Sequence, residues 1–183
     1  MRLGQELRRL TRHSAIYGLG GLVSRILATV LLPLYTHYLP TDAYGRVETI
    51  TAATAVLAIV LQMGISTAFF RFYFDTSDPA GRLTVIRTSF WFTMATSTLG
   101  LVLGLVFAAP ISHWLALGHN PNLVRAGAVG LWAQTNYNQL TALFRVEQRS
   151  VQYAVASIVN VLVTVAAMVV FIAVFHWGAI GLV

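Results

Sequence analysis

The stretch from Val85 to Ala109, VIRTSFWFTMATSTLGLVLGLVFAA, carries a single charge, Arg87, in 25 consecutive residues. At a helical rise of about 1.5 Å per residue it reaches about 37 Å, enough to cross about 30 Å of hydrocarbon. Inside a bilayer every backbone amide and carbonyl needs a partner within the protein, so an apolar run of this length predicts a helix. Working outward, four further runs of the same kind lie at 15–38, 47–70, 122–143 and 152–176, and a sixth starts at Gly178 and is cut at Val183. The chain therefore reads as all-α: a polytopic membrane helix bundle of five complete transmembrane helices plus the start of a sixth. Residues 1–183 are expected to form most of an N-terminal transmembrane lobe.

Composition agrees. Of 183 residues 57% are hydrophobic and 10% charged, with mean hydropathy +0.71, against about 25% charged residues in an ordinary soluble domain. The 12 basic residues are all arginine, and against 6 acidic residues they leave a net charge of +6. A nucleic-acid binder gathers such charge on one patch, whereas these arginines fall in short clusters between apolar runs. No nucleic-acid partner is expected. The absence of cysteine excludes a disulfide framework and thiolate chemistry.

The separators Leu39-Pro40-Thr41-Asp42, Asp75 through Gly81, His119-Asn120-Pro121-Asn122 and Arg145 through Gln152 carry turn and charge signals. None is long enough for a soluble catalytic domain. Arg2, Arg8, Arg9, Arg12, Arg71, Arg82, Arg87, Arg145 and Arg149 fall on one side of the alternating spans, and Arg46 and Arg125 on the other. The positive-inside rule then places the N-terminus in the cytoplasm. Met1 to His13 reads as a basic interfacial helix on the cytoplasmic leaflet. It is not a signal peptide, because the run that follows is too long and Arg25 interrupts it.

Polar and small residues recur at helical spacing in every span. The first gives Ser14, Gly18, Gly21, Arg25, Thr29 and Thr36; the second Glu48, Thr51, Ala55, Ala58, Gln62 and Ser66; the third Ser89, Thr93, Thr96, Gly100 and Gly104. The fourth gives Gln134, Asn138, Thr141 and Arg145, and the fifth Tyr153, Ser157, Asn160 and Thr164. Any one stripe fits ordinary helix packing equally well. Five together, with amides among them, predict helices around a polar cavity, while Gly100-x-x-x-Gly104 reads as packing.

Arg25 stands about 15 Å into its span, where an arginine costs about 2.5–3.5 kcal/mol and should face a partner or a wet cavity. No carboxylate shares its depth: Glu6, Asp42, Glu48, Asp75, Asp78 and Glu147 all lie in loops or near span ends. Its planar fork suits phosphate oxygens; the alternative is a structural arginine bonded to carbonyls or amides. Pro33 is expected to kink the first span and to serve as a hinge. The five histidines are scattered without ligand spacing, so no metal site is expected, nor any other cofactor. Gly18-Leu19-Gly20-Gly21 lies inside a span with no strand before it, which excludes a nucleotide loop.

Several segments taken in order resemble a known family. They are Ser24-Arg25; Leu32-Pro33-Leu34-Tyr35-Thr36-His37-Tyr38-Leu39-Pro40; Tyr44-Gly45; Met63 through Ala68 running into Arg71-Phe72-Tyr73-Phe74-Asp75; and Phe144-Arg145-Val146-Glu147-Gln148-Arg149. The chain resembles the polysaccharide-biosynthesis branch of the multidrug/oligosaccharidyl-lipid/polysaccharide exporters, the lipid-linked oligosaccharide flippases of O-antigen and related pathways. The resemblance implies two six-helix lobes rocking about a central cavity in the cytoplasmic membrane of a bacterium or archaeon. It also implies a polyprenyl-pyrophosphate-linked oligosaccharide as cargo, with Arg25 meeting the pyrophosphate. Gln62, Gln134, Asn138 and Asn160 would offer hydrogen bonds to sugars. Implied partners are membrane lipids, the C-terminal lobe of the same protein, a polysaccharide polymerase and glycosyltransferases.

Two rival readings stand beside it. A cation-coupled multidrug antiporter of the same superfamily would need a membrane-embedded carboxylate, which the sequence does not place at depth. A non-transporting scaffold for polysaccharide assembly enzymes would explain the stripes as packing alone. An intramembrane enzyme is not expected, since no acid pair, His-Glu cluster or Ser-His arrangement lies at span depth.

Overall fold

The structure, a computed structural model, describes residues 40–118, 120–171 and 180–181. The basic segment 1–13, the first span with Arg25 and Pro33, and most of the run from Gly178 lie outside the described residues. Among the described residues the chain is entirely helical, in the order α1 (Thr41–Gln62), α2 (Ile65–Asp75), α3 (Pro79–Val106), α4 (Ala108–Trp114), α5 (Pro121–Val146) and α6 (Ser150–Val169).

The second apolar run, read from sequence as one helix over 47–70, is broken. Met63 and Gly64 both adopt the left-handed region, with φ of 43° and 74°, and Met63 N–H donates back to the Val60 carbonyl at 3.3 Å. A Cβ on Gly64 would touch nothing within 4 Å. Glycine serves there for its backbone freedom and not for space.

The third run also divides. α3 opens on Pro79, whose missing N–H costs nothing in a first turn, with the Asp78 carboxylate accepting from Gly81 N–H at 2.9 Å. It stops at Val106, and the chain turns at Phe107 into the short α4. The sequence shows an unbroken apolar run to 109 because a turn at Phe107 needs no polar residue in an apolar solvent.

Three stretches are long and apolar enough to cross a membrane: Thr41–Asp75, Pro79–Val106 and Ser150–Val169. The sequence predicts five complete spans, so the described residues carry fewer. The first span falls outside them. The fourth corresponds to α5, whose 26 residues give ample length, but whose centre reads Gln134-Thr135-Asn136-Tyr137-Asn138-Gln139 and lowers its hydropathy.

α5 is the hub. It has eleven buried residues where α6 has one, Ser150. Its most extensive partner is α3, followed by α1, α4 and α6. One apolar cluster, Ile50, Ala108, Leu117, Leu123 and Val124, closes the end where α4 lies; another, Phe69, Ala142 and Val146, closes the end where α2 lies. Close approach depends on small residues. A Cβ on Gly104 would stand 2.6 Å from the Ala128 Cβ, and one on Gly100 2.6 Å from Leu61 Cδ1, which makes the Gly100/Gly104 pair a helix contact. The outward faces, with Trp91, Leu99, Val102, Leu162 and Val163 exposed, are apolar, as suits a hydrocarbon solvent.

Candidate functional site

Two polar regions flank α5. On the α3 side, Ser89, Thr93, Ser97 and Gly100 are buried. Gln139 Nε2 donates to Ser89 Oγ at 3.0 Å, Asn136 Nδ2 donates to Ser97 Oγ at 3.0 Å, and Trp132 Nε1 donates to Thr98 Oγ1 at 3.2 Å. The stripe of the third span is therefore a hydrogen-bonded seam and not a cavity wall, which corrects the expectation that all five stripes surround one polar space. Thr96 turns away and donates to the Phe92 carbonyl at 3.0 Å. Among the described residues, Thr93 Oγ1 and Asn136 Oδ1 are buried in the seam without a hydrogen-bond partner.

On the other side, α1, α5 and α6 enclose an open cavity of about 510 Å³. α1 supplies Thr51, Thr54, Ala55 and Ala58; α5 supplies Gln134 and Tyr137 above a floor of small residues; α6 supplies Asn160 and Thr164. Among the described residues no charged side chain is in this lining. Gln134 Nε2 donates to Asn138 Oδ1 at 2.9 Å, which holds the Gln134 amide against its neighbour one turn away. Thr54 and Thr164 donate to carbonyls of their own helices, Thr51 at 2.9 Å and Asn160 at 2.8 Å. Gly127 lets α1 approach, since a Cβ there would stand 2.9 Å from Ile50 Cγ1.

Of the residues singled out from sequence, the structure brings Gln134 and Asn160 to one wall, with Asn138 as partner of Gln134. Gln62 stands apart at the α1/α2 break, where its Oε1 accepts from Ser66 Oγ at 3.4 Å. Arg25 and Pro33 lie outside the described residues. Sequence reasoning missed Tyr137, which lines the cavity. Its position three residues after Gln134 is a usable signal, of the kind by which Tyr153 enters the fifth stripe. It also missed Asn136 and Gln139, which the spacing Leu131, Thr135, Gln139, Ala142, Val146 marks as the packed face of α5.

The stripes of α5 and α6 continue beyond the cavity to one end of the bundle. There the Arg145 guanidinium lies over the Phe70 ring at 5.6 Å and the Tyr153 ring at 5.8 Å, joining α2, α5 and α6. Arg82 lies over Tyr73 at 5.3 Å, and its Nε donates to the Thr76 carbonyl at 2.7 Å. The opposite end holds Arg46, paired with Asp42 and packed against Gly118, whose φ of 66° admits it. A second, apolar groove of about 530 Å³ runs between α1, α3 and α4, bordered by Leu57, Leu103, Phe107 and Trp114. Among the described residues no group of three histidine or acidic side chains could hold a metal ion.

A family described as polysaccharide biosynthesis protein matches the chain over residues 10–183. No curated protein and no solved structure matches it.

Proposed function

The chain belongs to the polysaccharide biosynthesis protein family, and from that premise we propose that it carries a lipid-linked oligosaccharide, borne on a polyprenyl diphosphate, across the cytoplasmic membrane of a bacterium or archaeon by alternating access. The observation that supports this reading is the open cavity between α1, α5 and α6, where amides, threonine hydroxyls and one tyrosine stand among small apolar residues, with no charge among the described residues of the lining. Sugars are neutral and dense in hydroxyls, so a wall of Gln134, Asn160, Thr51 and Thr164 offers both donors and acceptors to them. Tyr137 adds a flat face for the apolar side of a pyranose ring. The lipid tail has no need of this space and stays in the bilayer. In this reading Arg25 holds the diphosphate, Pro33 is a hinge of the first span, and residues 1–183 act with a second lobe. The chain is a carrier and not an enzyme.

Sites near the membrane midplane between packed helices are where transporters bind cargo. A cation-coupled drug antiporter would place a carboxylate in such a site, and among the described residues none lines this cavity. The test is complementation of a flippase-deficient strain by the full-length gene, with Arg25→Ala and the pair Gln134→Ala/Asn160→Ala alongside. Wild type should restore surface polysaccharide, and each variant should lose it at equal membrane abundance. Restoration by every variant would sink the site, and failure of wild type in several pathways together with proton-coupled drug efflux would replace the flippase by the antiporter.

A further inference from the structure

The cavity does not stand alone. Along α5, Gln134, Asn138, Thr141 and Arg145 follow at steps of four, three and four residues, so they share one face over about 16 Å. Along α6, Tyr153, Ser157 and Asn160 do the same. The structure joins the two lines at two levels: Gln134 and Asn160 line the cavity, and Arg145 lies over the Tyr153 ring at 5.8 Å. A line of polar residues thus runs from the cavity to the end of the bundle near the α2–α3 turn, with Thr141 buried along it and donating to the Tyr137 and Asn138 carbonyls.

Arg145 differs from the other arginines at that end. Its guanidinium is held by two aromatic rings from two other helices, Phe70 at 5.6 Å and Tyr153 at 5.8 Å. The ion pairs among the described residues are Arg46 with Asp42 and Arg149 with Glu147, so no described carboxylate pairs with Arg145. It is exposed. Ring stacking fixes a guanidinium without using its N–H groups, which keeps the bidentate fork free for two oxygens of a phosphate.

We propose that Arg145 is a first holding point for the phosphate of a lipid-borne substrate, at one end of the line of polar residues whose other end, at the cavity, takes the sugar. This rests on the flippase reading and adds to it a loading site distinct from Arg25. The ligand chemistry is an anionic phosphate group at the membrane surface; a polyprenyl diphosphate, an ordinary anionic phospholipid and free pyrophosphate share it.

The test uses the full-length protein in phosphatidylcholine nanodiscs, with calorimetric titration of polyprenyl diphosphate, phosphatidylglycerol and inorganic pyrophosphate. Wild type should bind polyprenyl diphosphate in preference to both of the others. Arg145→Gln should weaken that binding about tenfold or more, while Arg87→Gln, at the same end, should leave it within about twofold. Phe70→Leu should also weaken it, because the guanidinium loses one of its two rings. Should Arg145→Gln fail to fold, Arg145→Lys carries the test: the charge is kept and the fork lost, so a loss of about threefold is expected, and wild-type affinity would overturn the assignment. Equal losses in Arg145→Gln and Arg87→Gln, or equal binding of phosphatidylglycerol, would reduce Arg145 to a general surface anchor. If wild type binds and Arg145→Gln binds as well, only this assignment falls. If wild type binds no polyprenyl diphosphate, the flippase reading falls with it.

Discussion

On one face of α5, Asn136 and Gln139 are buried and donate to Ser97 and Ser89 of α3; on the other, Gln134 and Asn138 are exposed beside the cavity and bonded to each other. The four amides lie within six residues and are chemically alike. Their surroundings separate them. In the seam each amide meets a hydroxyl of a neighbouring helix, and the hydrogen bond is spent on holding two helices together. At the cavity no described helix closes over the amides, which leaves hydrogen-bonding capacity for a visitor. The same residue type therefore serves cohesion on one side of a helix and recognition on the other.

That contrast can be broken in graded steps. The largest effect should come from Gly104→Leu, because even a single Cβ there would stand 2.6 Å from the Ala128 Cβ. The α3–α5 contact would have to open, at a cost of about 1–3 kcal/mol or more, read as a lower melting temperature in detergent or loss of monodisperse protein. Gly100→Ala should be milder, since its obstacle is the end of the Leu61 side chain, which can turn.

Next, Gln134→Ala and Asn160→Ala should each lower transport about tenfold, the worth of one good hydrogen bond of about 1.4 kcal/mol, with melting temperature unchanged. A fall in stability without a fall in transport would show that this wall is a packing surface like the seam.

Asn136→Leu should behave in the opposite way, losing about 0.6–1.7 kcal/mol of stability as intramembrane hydrogen bonds do, with transport nearly intact at equal abundance. A double-mutant cycle with Ser97→Ala should return most of that loss as coupling, and a coupling near zero would remove the hydrogen bond from the account. The smallest effect belongs to Asp42→Asn. Its pairing with Arg46 is an exposed contact within one helix turn, so the change should leave the midpoint of chemical denaturation essentially unmoved.

How much was legible in the sequence follows the same division. The apolar runs at 85–109 and 152–176 predict membrane-crossing helices directly, because length and hydropathy are local properties. The break at Met63-Gly64 was less visible. A glycine in an apolar helix is common in membranes, and only its φ of 74° distinguishes a break from a packing site. The third and fourth stripes looked alike on paper, yet the third faces α5 and part of the fourth faces the cavity. Tyr137 falls one residue off the Gln134–Asn138–Thr141 stripe, and only the structure shows that it lines the cavity. Arg145 closes the fourth stripe, but nothing in the sequence puts Phe70, 75 positions away, beside it.

By itself the sequence determined the solvent of this protein, the helical class, and the turns at Asp75–Gly81 and Arg145–Gln152. Each follows from the free energy of placing backbone and side chains in hydrocarbon, which every residue contributes independently of its distant neighbours. Only the tertiary structure decided which polar stripe is spent on a neighbouring helix and which stays open. The face a helix buries depends on its rotation against partners far away in the chain, and a periodic pattern carries that rotation only up to the choice between two faces.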